Sequence, residues 1–392
     1  MAITMFVEPD SYQPIHTPIV FLLGSTISDF SNFKYRFRIT VGAQERSIYV
    51  SPRPSDAKGE IDISRHLRDF LDTHEFDIEN TSNSFTAQFV KYQVVVDEVW
   101  TDAGVTVTNP SAYSFTDNPI AYNSVLNRTE WVNFTPYDYK LRDDLLLPLQ
   151  TKILLSRDSR SGYHKDDVIR MHIVGDTEGI GRRVRIVEYD AAGGINIGEY
   201  ITITNNSKCV YFFLDLSNRA WVASTKSFSL QVFDLIGNEV SLMKTFDLLD
   251  AVCSSFDNYR FIYIDSLGSY DCINLSRAST SELNVKSTTF DKREDYFSNL
   301  GSERIRTVSN IVAFDSFTAN TDNLKTYQTK QVEELILSNN TFLDVRNMEG
   351  FEGINYIPVI ITTTKLKRAK SENQEIPQYT ISFVPAYNKR TR

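Results

Sequence analysis

The sequence predicts a mainly β protein, and three observations predict it. Aromatic residues are plentiful, with 25 Phe, 20 Tyr and 3 Trp in 392 residues. They come with many Ser, Thr, Val and Ile, a mixture that suits a half-buried pleated surface. Apolar and polar residues alternate with period two along much of the chain, which marks strands with one buried face. Glycine-bearing turns separate these runs at short intervals, and helical stripes are few.

Length and composition set the bounds. At roughly 150 residues per domain, the chain predicts two to four domains. Apolar residues make up 41% and charged residues 23%, an ordinary globular balance that excludes collagen-like, disordered and low-complexity chains. Basic residues number 41 and acidic residues 50, a net charge of −9, whereas a dedicated nucleic-acid binder is usually basic. No apolar run approaches the roughly 20 residues of a membrane helix, so no membrane partner is expected. The segment Met1–Asp10 has neither a basic start nor an apolar core, so no signal peptide is expected. Cys209, Cys253 and Cys272 are an odd set without CxxC spacing. They predict neither a disulfide framework nor a zinc site, but small buried residues in a reducing cytosol.

The first module is expected over residues 1–117. Pro18–Leu23 reads as a buried strand. Phe33, Tyr35, Phe37 and Ile39 alternate with Lys34, Arg36 and Arg38, a strand with one face buried. Gln44–Val50 is its hairpin partner across Gly42. Ile63, Leu67, Phe70 and Leu71 fall on one helical stripe, with Asp62 or Ser64 as cap. His66 and His74 lie on or near this helix, without the further ligands a metal needs. Phe85–Trp100 reads as one long strand. Residues 118–166, holding Trp131, Phe134, Tyr137 and Tyr139, read as a connecting segment.

Residues 167–252 predict a β-sandwich domain. Strands fit at Val168–Val174, Arg183–Tyr189, Ile195–Thr204, Cys209–Asp215, Ser227–Leu235 and Val240–Phe246. Turns at Gly175–Gly181, Gly193-Gly194 and Gly237-Asn238 join successive strands as a meander. That density of short strands is immunoglobulin- or fibronectin-like. The last module, 253–392, holds strands at Tyr259–Asp265 and Cys272–Leu275 and a helix at Thr329–Ser338. It closes on strands Tyr356–Leu366 and Gln378–Ala386. The expected fold is thus several antiparallel β-sandwich modules with a few short helices.

Little in the chain points to catalysis. The glycines of Gly175–Gly181 follow a strand, but a phosphate loop must open a helix. Arg182–Tyr189 alternates as a strand instead. His164, Asp166, Asp167 and His172 are close in sequence and straddle a strand start, a pattern that suits surface polar groups better than a metal or catalytic site. Asp143-Asp144 and Glu333-Glu334 are adjacent pairs that should diverge, unlike a glycosidase dyad. No Gly-x-Ser-x-Gly, His-Glu-x-x-His, Walker lysine or calcium loop is present. No catalytic residue, cofactor or metal is therefore expected, and the chain is not expected to be an enzyme.

Several stretches carry a resemblance. Ser31–Phe37, followed by Ile61–Leu71, looks like the N-terminal part of virion proteins from phages of Bacteroidetes hosts, crAss-like phages in particular. Phe261–Asp271 resembles their strand, Gly-Gly-x-Asp turn, strand motif, with Gly268-Ser269 where Gly-Gly is common. The order of short helix, Phe342–Val345, Pro358–Ile361 and closing strand also fits. The resemblance implies a structural virion protein, a homo-oligomeric ring of cyclic symmetry in the tail or neck, below the portal. It implies other tail or neck proteins as partners, and DNA only as genome passing through the lumen. The alternative is a carbohydrate- or receptor-binding module at the tail tip, since aromatic-rich sandwiches present Trp and Tyr to sugars. A glycan hydrolase ranks third.

One site follows for assembly. Tyr356–Leu366 and Gln378–Ala386 are expected to form a long two-stranded arm against a neighbouring chain. The strand Pro358–Leu366 is β-prone and nearly uncharged, and such an edge left bare is an aggregation hazard. Its basic tip, Lys365, Lys367, Arg368 and Lys370, is the expected subunit contact, meeting acidic groups of the next subunit.

Overall fold

A computed structural model describes residues 3–71, 85–86, 89–116, 119–124, 126, 140–141, 162–175, 181–203, 209–250, 258–291, 306–321, 329–338, 340–346, 348, 353–366, 378–387 and 390–391. Strands take up 60% of these residues and helix 7%. The fold is therefore mainly β, with about three times the strand share of an average domain. The chain divides into two compact units that interleave in sequence. The first holds residues 1–162, 168–248 and 265–270; the second holds 163–167, 249–264 and 271–392.

In the first unit, Lys34–Val41 lies between Gln44–Val50 and Gln93–Asp102, and Val105–Phe115 closes that four-stranded sheet. The alternation read from the sequence is real: Tyr35, Phe37 and Ile39 are fully buried, and Arg36 and Arg38 lie on the other face. Ser64–Leu71 is the one α-helix of this unit among the described residues, and it buries Leu67, Phe70 and Leu71 in the same core. Asp62 caps it, its Oδ1 accepting the Ser64 amide at 2.9 Å. A second sheet joins Ile3–Val7, Val20–Ser25 and Lys58–Asp62.

The long strand expected at Phe85–Trp100 is instead three strands in three sheets: Phe85–Thr86, Phe89–Lys91 and Gln93–Asp102. The break falls at Tyr92, whose amide donates to Pro119 O at 3.1 Å. Phe89–Lys91 pairs with Ile120–Tyr122, and Gln93–Asp102 leaves to pair with Lys34–Val41. A tight turn at Ala103 (φ 47°) and Gly104 (φ 82°) then leads into Val105–Phe115. Two successive positive φ values are what a type I′ two-residue hairpin turn requires.

Five of the strands expected at 167–252 form close to their expected bounds, the one expected at Val240–Phe246 lies instead at Lys244–Leu249, and together they do not run as a meander. Val168–Gly175 pairs with Cys209–Asp215, while Arg182–Tyr189 pairs with Ile195–Ile203 and Ser227–Asp234. Val168–Gly175 and Arg182–Tyr189 thus lie in different sheets and are not the paired strands expected on either side of Gly175–Gly181. Val168–Gly175 is buried at every residue, so it needs cover on both faces and an equally buried partner, which Cys209–Leu214 supplies. Dividing the strands between two sheets is what a sandwich requires.

In the second unit the strand order is Ser279–Asp291, Arg306–Asn320, Thr380–Pro385, Tyr356–Ile361, Thr341–Asp344 and Tyr259–Ile264. Helix Thr329–Leu337 buries Val332 and Leu335 against Phe261, Tyr263, Leu343 and Phe383. The closing strands pair with each other, as expected. They do not form a free arm. Tyr356–Ile361 also pairs with Thr341–Asp344, and Thr380–Pro385 also pairs with Arg306–Asn320. The β-prone edge is satisfied inside its own unit, and its regular part ends at Ile361 rather than Leu366.

Candidate functional site

The acidic residues singled out at 166 and 167 meet a buried arginine. The register of Tyr259–Ile264 against Thr341–Asp344 sets Arg260 opposite Asp344. The Arg260 guanidinium bonds Asp166, lies 3.3 Å from Asp167 and 3.4 Å from Asp344, and donates to Asn274 Oδ1 at 3.1 Å. Asn274 in turn donates to Asp167 at 2.9 Å. Burial alone would lower the Arg260 pKa, but the Asp167 and Asp166 charges outweigh it and raise it. Asp167 also accepts the His164 amide at 2.8 Å. The cluster is an ionic lock that ties a loop to three strands, with the cation already in place as a side chain.

His164 and His172 do not share a site. His164 is in the second unit, its Nδ1 2.7 Å from Asp250 O. His172 is in the first unit, fully buried between the rings of Tyr122 (5.5 Å) and Tyr211 (5.2 Å). Its amide donates to Ser269 Oγ at 2.8 Å, and Tyr211 donates to Gly268 O at 2.9 Å. The motif at 265–269 is the tight turn that fills this place. Asp265 Oδ1 accepts the amides of Leu267 and Ser269 at 2.9 and 2.8 Å, and Gly268 takes φ +87°.

Burial lowers the His172 pKa to about 3. The unfolded chain takes up a proton near pH 6.5, and the folded chain does not. His172 therefore stabilises nothing by titrating. It removes stability as pH falls below 6.5, by about 2 kcal/mol at pH 5. His172→Phe, which keeps an aromatic ring between the two tyrosines, should flatten the loss of stability between pH 7 and pH 5 by that amount. Urea unfolding at the two pH values measures it, and equal losses in both proteins would refute it.

A second buried carboxylate was not singled out in the sequence. Asp97 is fully buried and accepts from Arg36 (2.8 Å), Arg38 (2.9 Å) and the Ser111 amide (2.7 Å). Burial pushes its pKa up, and the bonds from Arg38, Ser111 and Arg36 pull it net below the ordinary value. The visible signal was the Arg36/Arg38 pair on one strand face. What was hidden is the bulge that turns the Ser111 amide inward, with Ser111 at φ 52°.

Cys209 and Cys272 are buried, as expected, and Cys253 lies outside the described residues. Among the described residues no group of three His, Cys, Asp or Glu side chains is arranged to hold a metal, and no helix is long and apolar enough to cross a membrane. Of the expected basic contact, Lys365 is exposed, and Lys367, Arg368 and Lys370 lie outside the described residues.

The longest strands are ones the sequence did not reveal. Ser279–Asp291 and Arg306–Asn320, of 13 and 15 residues, pair antiparallel as a hairpin of about 45 Å. Leu283 (58%), Val285 (56%) and Val308 (49%) are exposed along it. No protein-family model and no curated protein matches the chain.

Proposed function

We propose that the chain is a structural component of a phage virion, assembling with copies of itself into a ring of the tail or neck below the portal. The observation that carries this reading is the long hairpin of Ser279–Asp291 and Arg306–Asn320, whose outer strand exposes Leu283 and Val285 midway along it. Such an element suits assembly more than chemistry. Two acidic groups that the sequence offers as chemistry are spent on architecture, Asp166 and Asp167 on Arg260. The segment Phe261–Asp271, which carries the resemblance to virion proteins, forms a strand, turn and strand around Gly268. On this reading the protein is no enzyme, needs no cofactor, and meets DNA only as passing genome.

The sugar-binding alternative has weaker support. Trp100 is buried with Phe30 stacked on it at 5.8 Å, and Trp221 lies under the Arg219 guanidinium at 5.3 Å. Neither ring is exposed, and Trp131 lies outside the described residues. The test is mass spectrometry and electron microscopy of particles of the phage that encodes the chain. The expected result is a multicopy component in a cyclic ring between capsid and tail. Absence from intact particles, or confinement to fibre tips with glycan binding, would overturn the reading.

A further inference from the structure

The strand Ser279–Asp291 ends its sheet, and among the described residues its only strand partner is Arg306–Asn320. A bare edge of this length is normally blunted by proline, a bulge or unmatched charge. This one has no proline. Its bulge lies on the inner strand, where Asn310 and Ile311 face the single residue Ser287, so the outer strand stays regular. Its charges are matched in a particular way. Outward from Asn284 the residues come in like or complementary pairs: Leu283 and Val285, then Glu282 and Lys286, then Ser281 and Ser287. All but Asn284 are exposed. Asn284 donates to Ser316 at 2.9 Å and Lys286 lies over the Phe314 ring at 5.5 Å, so this face is held in place.

We propose that this edge pairs antiparallel with the same edge of a second copy, about a two-fold axis at Asn284. Leu283 then lies opposite Val285 of the second copy and is covered by it. Glu282 lies opposite Lys286, and each of these contacts occurs twice. Opposite charges directly across a strand pair stabilise it and like charges destabilise it. An isologous contact of this kind closes after two copies, whereas a ring needs a head-to-tail contact. The inference therefore goes beyond the ring reading. A dimer that forms no ring, or a ring whose subunits do not pair here, separates the two.

Charge reversal and cross-linking test it on the full chain. Glu282→Lys alone, or Lys286→Glu alone, places like charges opposite each other twice and should weaken the dimer about tenfold or more by sedimentation. Mixing the two variants should restore dimers, because each then meets its opposite. In a Cys253→Ser background, Asn284→Cys should oxidise readily to a covalent dimer, since directly opposed Cα atoms lie about 5 Å apart. Glu282→Cys should not, since the two copies of that position are about 13 Å apart along the strand. A wild-type chain that is monomeric at about 100 µM would overturn the proposal. So would a failure of mixing to restore dimers, or equal cross-linking of the two cysteine variants.

Discussion

Arg260→Met is expected to destabilise the second unit by about 3–5 kcal/mol, the usual cost of removing one partner from a buried ion pair. Arg260 is 5% exposed, and the variant leaves Asp167 (1%) and Asp344 (7%) without it. Asp344 keeps Arg346 at 2.7 Å, so the uncompensated charge falls mainly on Asp167. Adding Asp167→Asn to Arg260→Met should recover part of the loss, because the amide removes the stranded charge while its oxygen still accepts the His164 amide. Urea unfolding followed by near-ultraviolet dichroism gives both values. A loss below about 1 kcal/mol, the range of an exposed pair, would mean that the guanidinium is solvated and the lock is not closed.

Gly268→Ala is expected to cost about 3 kcal/mol, from two causes that add. A side chain at φ +87° is strained, which costs roughly 1–3 kcal/mol. A Cβ there also falls 2.4 Å from the Asn123 carbonyl oxygen, a backbone atom that cannot swing aside. Overpacking of this sort costs a further ~1–3 kcal/mol. Asn tolerates positive φ better than Ala, but its Cβ meets the same oxygen. Gly268→Asn should therefore recover only a fraction of the loss. Full recovery with Asn would assign the whole effect to strain and refute the clash. The turn also anchors His172 through Ser269 and Tyr211 through the Gly268 carbonyl, so the His172 tyrosine cage should loosen in the alanine variant.

What the sequence determined by itself was local. Lys34–Val41 was legible because Tyr35, Phe37 and Ile39 alternate with charged residues, and burial of one face enforces that period. Ser64–Leu71 was legible because Leu67, Phe70 and Leu71 fall on one stripe after Asp62. Thr329–Leu337 was legible as a helix in the same way, while Cys209–Asp215 and Tyr259–Ile264, buried on both faces, were legible as short runs rich in aromatic and β-branched residues. Which strand pairs with which was decided only in three dimensions. Val168–Gly175 is buried on both faces, so no alternation names its neighbour, and it passes over Arg182–Tyr189 for Cys209–Asp215. Phe85–Trp100 carries one continuous β signal, yet Pro119 O captures the Tyr92 amide and three sheets divide the segment. The hairpin Ser279–Asn320 was invisible because its outer strand is wet on both faces and has no hydrophobic period to detect. Arg260 gave no sign of its carboxylate partners, which lie 84 to 94 positions away along the chain. A charged residue in an apolar strand says that a counter-charge must come, since an unpaired buried charge is too costly to keep. Only the folded chain, by setting the strand Thr341–Asp344 beside Tyr259–Ile264, determined which carboxylate it would be.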